Sequence, residues 1–211
     1  MYAHRGAHLD GAPENTIAAF ERAASLGAGA IEFDVRRSAD DQLVVFHDAK
    51  LGRTPLDSLT AAEISARAGF EVPRLSDVLR WAGDRIVLDV ELKEDGYVER
   101  VLEPLTDFEA AGGRLLVTSF IDRVLARVGQ VAPGTRRGLL IGMTAIGAVA
   151  RTRACGASTL VVQAKLASDR LLDEAGAGGL SVIVWDVLKT VESKLMMLPA
   201  RLVLASAWPI T

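Results

Sequence analysis

Short apolar segments alternate along this chain with longer stretches in which apolar residues return every three or four positions. Read as strands, the short segments are residues 2–4, 30–36, 43–47, 86–93, 115–119, 137–141, 159–162, 181–185 and 202–205. They are rich in Val, Ile and Leu, as strands covered on both faces are. The stretches between them read as amphipathic helices. The first opens at Pro13-Glu14-Asn15-Thr16, sets Ile17, Phe20 and Ala24 on one face and stops at Gly27. Others are expected near residues 60–68, 75–82, 96–111, 121–128, 143–155, 168–177 and 188–198. Strands alternating with helices predict a parallel sheet with helices outside.

Nine strands are one too many for an eight-stranded barrel. The link between Val35 and Leu43 is shorter than the dozen or so residues that a parallel crossover needs. Residues 43–47 should therefore return antiparallel as a hairpin arm, with Asp40-Asp41 in the turn. The eight strands left predict an α/β fold, a TIM-type (β/α)8 barrel with a β-hairpin extension after strand 2. An open doubly wound sheet is the alternative architecture. No repeat, low-complexity tract or linker divides the 211 residues, so one domain over 1–211 is expected.

Alternation within two strands points to chemistry. In Ile31-Glu32-Phe33-Asp34-Val35 both carboxylates share one face and the apolar side chains the other. Leu88-Asp89-Val90-Glu91-Leu92-Lys93 repeats the pattern with three ionisable groups. Charges facing into a barrel are costly unless paired or bound to a metal. One reading is a structural ion-pair network in which Lys93 balances a carboxylate. The other, favoured by the excess of carboxylates at strand ends, is a hard divalent cation, Mg²⁺ or Ca²⁺. Of three histidines, His4 ends the first strand and His47 the hairpin arm, places suited to general acid–base work. His8 falls in a loop and takes no role. Arg5 reads equally as an anion contact or a surface charge. Cys155 lies in a helical pattern as a buried small hydrophobe, and Met143 as a helix or gap-filling position.

Composition narrows the class. Half the residues are hydrophobic, net charge is -3 and there is one cysteine, so a large core is available and a disulfide framework is excluded. Without a basic face, nucleic acid is not an expected partner. No apolar run approaches the ~20 residues of a membrane span, and the N-terminus lacks a signal-peptide pattern. A soluble, cytoplasmic protein is expected.

Taken in order, five segments carry a family resemblance. They are His4-Arg5-Gly6, Pro13-Glu14-Asn15-Thr16, residues 31–35, Val45-Phe46-His47-Asp48 and Glu91-Leu92-Lys93. Together they resemble the motif series of glycerophosphodiester phosphodiesterases, with Phe120 and Trp185 at similar later positions. The resemblance implies a metal-dependent phosphodiesterase releasing sn-glycerol 3-phosphate and an alcohol from glycerophosphodiesters. It implies Glu32, Asp34 and Glu91 as ligands of one divalent cation, Mg²⁺ or Ca²⁺, and His4 and His47 as the acid–base pair. Arg5 and Lys93 would contact the phosphate and Glu14 would support the site. Phe120 and Trp185 would pack on the glycerol carbons or simply line the rim. In this family the substrate's own glycerol hydroxyl can be the nucleophile. Where the family ends its last strand with Thr-Asp, this chain has Ala205-Ser206. That departure keeps two alternatives open: a lipid diesterase of the lysophospholipase D or sphingomyelinase D kind, and a catalytically impaired phosphate-ligand binding protein. With its chain ending at Thr211, the barrel is expected to lack the closing helix, baring an apolar flank that a second copy would cover.

Overall fold

In the computed structural model, which describes residues 2–8 and 11–185, strands and helices alternate as the hydrophobic pattern requires. β1 (Tyr2–His4) leads to α1 (Ile17–Ser25), where the Thr16 side chain caps the first turn by accepting from the Ala19 amide. Then come β2 (Ala30–Arg37) and β3 (Leu43–Val45), followed by a two-residue ladder of β4 (Lys50–Leu51) on β5 (Thr54–Pro55). Next are α2 (Ala61–Ala68), α3 (Leu75–Ala82), β6 (Val87–Leu92), α4 (Val98–Ala110), β7 (Arg114–Ser119) and α5 (Asp122–Val131). β8 (Arg137–Ile141), α6 (Ala148–Ala154), β9 (Thr159–Gln163), α7 (Asp169–Ala177) and β10 (Ser181–Trp185) complete the described chain.

Seven strands pair in parallel in the order β1-β2-β6-β7-β8-β9-β10, forming the curled sheet of a TIM-type barrel with its helices outside. Among the described strands β3 pairs with β2, antiparallel, and Val44 also bridges Arg74. The expected hairpin is therefore present, and Asp41 takes the turn's left-handed position at φ 58°. β3 stops at Val45, so His47 stands beyond the ladder rather than in it. Ile31, Phe33 and Val35 are wholly buried on the helix side, with the Phe33 ring 5.9 Å from Phe20 of α1. The excursion between β3 and α3 has a small core of its own: Val44, Leu56, Leu59, Ile64 and Val72.

Two packing expectations need correction. On α1 the buried stripe is Ala19, Phe20 and Ala23, and Ala24 is exposed because the stripe centres one position earlier. The sixth helix starts at Ala148, not near 143. Glycines at both ends of the Gly142–Gly147 stretch favour loop conformations, Gly147 at φ 66°. Met143 and Ile146 are consequently 92% and 86% exposed, so Met143 fills no gap. Cys155 is buried just beyond α6. The strand at 202–205, the helix at 188–198, Ala205-Ser206, the missing closing helix and its apolar flank all lie outside the described residues. Among the described residues, no helix is long and apolar enough to cross a membrane.

Candidate active site

Parallel register turns alternation into a cluster. β2 and β6 run side by side with Glu32 opposite Asp89 and Asp34 opposite Glu91, while His4 of β1 sits opposite Glu32. The two strands thus aim four carboxylates into the sheet's inner side. Oxygens of Glu32, Asp34 and Glu91 all lie within 4.8 Å of one another. The Asp34 side chain has no exposure, and Glu91 and Glu32 have 8% and 12%.

Two cations answer these four charges. Lys93 Nζ lies 2.8 Å from Glu91 Oε1 and 3.2 Å from Asp34 Oδ1. Arg5 Nε lies 3.3 Å from Asp34 Oδ2. Asn15 Nδ2 donates to Asp34 Oδ2 at 2.8 Å. The balance stays negative, and the protonation equilibria record it. Burial raises Glu91 to about 7 against the pull of Lys93, with Asp34 adding to the rise. Burial also raises Asp89 to about 7, although the Thr118 hydroxyl donates to it at 2.8 Å. Glu32 is pushed well above the carboxylate range by burial and by Asp34 and Asp89. For Asp34 burial acts upward too, but Lys93, the Asn15 hydrogen bond and Arg5 hold it below its ordinary value. Glu32 Oε1 is buried and has no hydrogen-bond partner among the described residues. An orphaned oxygen among surplus oxygen donors, with no thiolate beside them, fits a hard divalent cation. The purely structural ion-pair reading accounts for Lys93 but not for this excess.

The His4-Arg5-Gly6 turn brings the other groups to the cluster. Arg5 adopts φ 54°, a strained value for a residue with a side chain. Its amide donates to the Glu32 carbonyl at 2.9 Å, and its Nη1 to Glu14 Oε1 at 3.0 Å. Gly6 follows at φ 81°, where a Cβ would lie 2.7 Å from the Ala19 carbonyl carbon of α1. His4 Nε2 is 3.8 Å from Glu32 Oε2. Crowding by the chain and then the Arg5 charge lower its pKa to about 4, though 55% of the side chain remains accessible. His47 Nδ1 is 2.7 Å from Asp48 Oδ1, a pairing that favours the Nδ1–H tautomer and leaves Nε2 available. His8 makes a local contact, from Nδ1 to the Gly6 carbonyl at 3.3 Å.

Phe120 and Trp185 meet edge to face with ring centres 6.2 Å apart, and Lys93 Nζ lies 6.0 Å from the Phe120 ring centre. Between them Gly142 gives room, since a Cβ there would come within 3.1 Å of Phe120 and 3.3 Å of Trp185. The Trp185 indole nitrogen is buried and has no hydrogen-bond partner among the described residues.

Four residues of this neighbourhood carried no role in the sequence reading. Asn15, 2% exposed with φ 58°, holds Asp34 from the loop before α1. Asp48 pairs with His47, Asp89 extends the carboxylate array, and Arg36 bonds the His47 carbonyl. Alternation had set Asp89 in the row of Glu91 and could have flagged Arg36, which continues the row of Glu32; nothing in a single sequence gives Asn15 its contact with Asp34.

A model of the glycerophosphoryl diester phosphodiesterase family matches residues 4–200. A glycerophosphodiester phosphodiesterase of Caldanaerobacter subterraneus is 33% identical over 161 residues, 66% of this chain and 65% of that protein. The chain thus spans just under two thirds of the length of such relatives. The crystal structure of a glycerophosphodiester phosphodiesterase from Agrobacterium tumefaciens superposes with a TM-score of 0.71 at 27% identity, covering 87% of this chain and 84% of that one. A phosphodiesterase of Oleispira antarctica, solved in complex with the product sn-glycerol-3-phosphate, superposes at 0.75 with 22% identity, covering 90% of this chain and 88% of its own.

Proposed function

The chain belongs to the glycerophosphoryl diester phosphodiesterase family, and from that premise we propose that it hydrolyses glycerophosphodiesters to sn-glycerol 3-phosphate and an alcohol. The observation that supports this most is the convergence of Glu32, Asp34 and Glu91 with His4 beside them at one end of the parallel sheet. The three carboxylates would hold Mg²⁺ or Ca²⁺, both of which take oxygen donors. When bound, the cation supplies charge neutralisation for the phosphodiester.

The chain's own residues account for the remaining tasks. Arg5 and Lys93 offer cationic N–H donors to phosphate oxygens, and Glu14 orients Arg5 through its Nη1 contact. His4, uncharged at neutral pH, takes a proton from the substrate's glycerol hydroxyl as its oxygen bonds to phosphorus. His47 gives a proton to the alcohol oxygen as that P–O bond breaks. Water then opens the cyclic phosphate with the two histidines in exchanged roles. Phe120 and Trp185 pack on the glycerol carbons.

Glycerophosphocholine and glycerophosphoethanol, supplied with Mg²⁺, Ca²⁺ or Mn²⁺, should release glycerol 3-phosphate measurable by coupled dehydrogenation, and chelator should abolish the release. No turnover with any of the three ions would overturn the reading. Apolar Phe120, Met143 and Ile146, exposed on the loops after β7 and β8, favour lipid diesters as a second reading. Lysophosphatidylcholine turned over in preference to glycerophosphocholine would establish it.

A further inference from the structure

Glu32, Asp34 and Arg36 occupy alternate positions of β2, so the guanidinium continues the row of carboxylates along one face. Arg36 lies where β2 has outrun its pairing with β6, which ends at Val35 opposite Leu92, and pairs only with Val44 of β3. The Tyr97 hydroxyl donates to the Val35 carbonyl at 2.7 Å and stiffens the strand just before it. Arg36 is 9% exposed. A guanidinium so far withdrawn from water requires partners. Among the described residues it has two: Nε donates to the His47 carbonyl at 2.8 Å, and Nη1 lies 3.8 Å from Glu94 Oε1. The same Glu94 oxygen accepts from the Arg37 amide at 3.3 Å. Glu94 directly follows Lys93, so Arg36 ties the backbone of His47 to the end of the strand that carries Glu91.

His47 needs such a tie. It stands two residues beyond the end of β3, and the last backbone bond before it runs from the Phe46 amide to the Asp34 carbonyl at 3.0 Å. The imidazole goes where its own peptide goes, and a charged N–H donor on that carbonyl is stronger than a neutral one. We propose that Arg36 is the positioning residue of His47, clamping its carbonyl so that the imidazole reaches the leaving oxygen. This rests on the assignment of His47 as the proton donor to the alcohol.

Two diesters that share glycerol phosphate and differ only in the departing alcohol, ethanol or 4-nitrophenol, test both statements. Ethanol must be protonated as it leaves; 4-nitrophenolate need not be. His47→Ala should lower kcat/KM by about 10²–10⁴ for the ethyl diester and far less for the nitrophenyl diester. Arg36→Lys, which keeps the charge and loses the Nε–H, should show the same selectivity: about tenfold or more on the ethyl diester and under about threefold on the nitrophenyl diester. A general loss of structure would lower both together. Equal losses, or none, in Arg36→Lys while His47→Ala remains selective would overturn the positioning role. Equal losses in His47→Ala itself would overturn the proton-donor assignment, and the Arg36 role with it. Should Arg36→Lys not fold, Glu94→Gln decides, because it frees Nη1 with Arg36 in place: a smaller selective loss supports the clamp and an unselective one removes it.

Discussion

Four carboxylates crowd into one small volume on β2 and β6, and that crowding sets how a cation binds. In the metal-free protein Glu91 is raised to about 7, so below that pH a cation must displace its proton. Affinity should therefore climb as pH rises through 7, by about tenfold per pH unit for each proton released, and Glu32, raised further by burial and by Asp34 and Asp89, adds to the climb. Calorimetric titration with Ca²⁺ or Mg²⁺ in buffers of differing ionisation enthalpy reads both the slope and the released protons. A flat affinity between pH 5.5 and 7.5 would contradict the carboxylate assignment. At this scale the sequence was informative wherever strand alternation governs, as for Glu32, Asp34 and Glu91. It was silent on Asn15, whose amide meets Asp34 only because a loop folds back across 19 positions.

Elements are placed by a few backbone requirements. Gly6 adopts φ 81° while α1 passes so close that a methyl group would meet the Ala19 carbonyl carbon. Gly6→Ala should cost about 1–3 kcal/mol through backbone strain and overlap together, read as a lower midpoint in urea. It should also lower activity by more than the fraction unfolded explains, since Arg5 precedes the shifted turn. An unchanged midpoint would mean that the turn has another conformation open to it. The hairpin of β2 and β3 was legible from loop length alone, because so short a link cannot cross over to a parallel neighbour. The start of α6 was not, because its apolar spacing runs unbroken through a loop bounded by Gly142 and Gly147. Likewise, which of Ala23 and Ala24 faces inward on α1 depends on where the sheet lies under Phe20.

For the whole molecule, the acidic cluster couples folding to the cation. Binding to the folded state alone stabilises by about 2.7 kcal/mol at a hundredfold excess over Kd. For a chain of this length that is a rise in Tm of about 5–10 °C. Glu32→Gln should retain the fold, lose most of the rise and lose activity, all measurable by differential scanning fluorimetry beside the turnover assay. A full Tm rise in Glu32→Gln would place the cation elsewhere.

The chain by itself determined the alternation of strands and helices, the antiparallel arm and the faces on which charges lie, because these follow from local periodicity and from the reach of short links. Its ordered motifs also pointed to the family. Only the tertiary structure decided the register that sets Asp34 beside Glu91, the loop that lends Asn15 to Asp34, and the bond from Arg36 to the carbonyl of His47. Those contacts join residues far apart in the chain, and their geometry depends on how β1, β2 and β6 are staggered. That stagger is fixed by the packing of the entire sheet against its helices, which no local pattern contains.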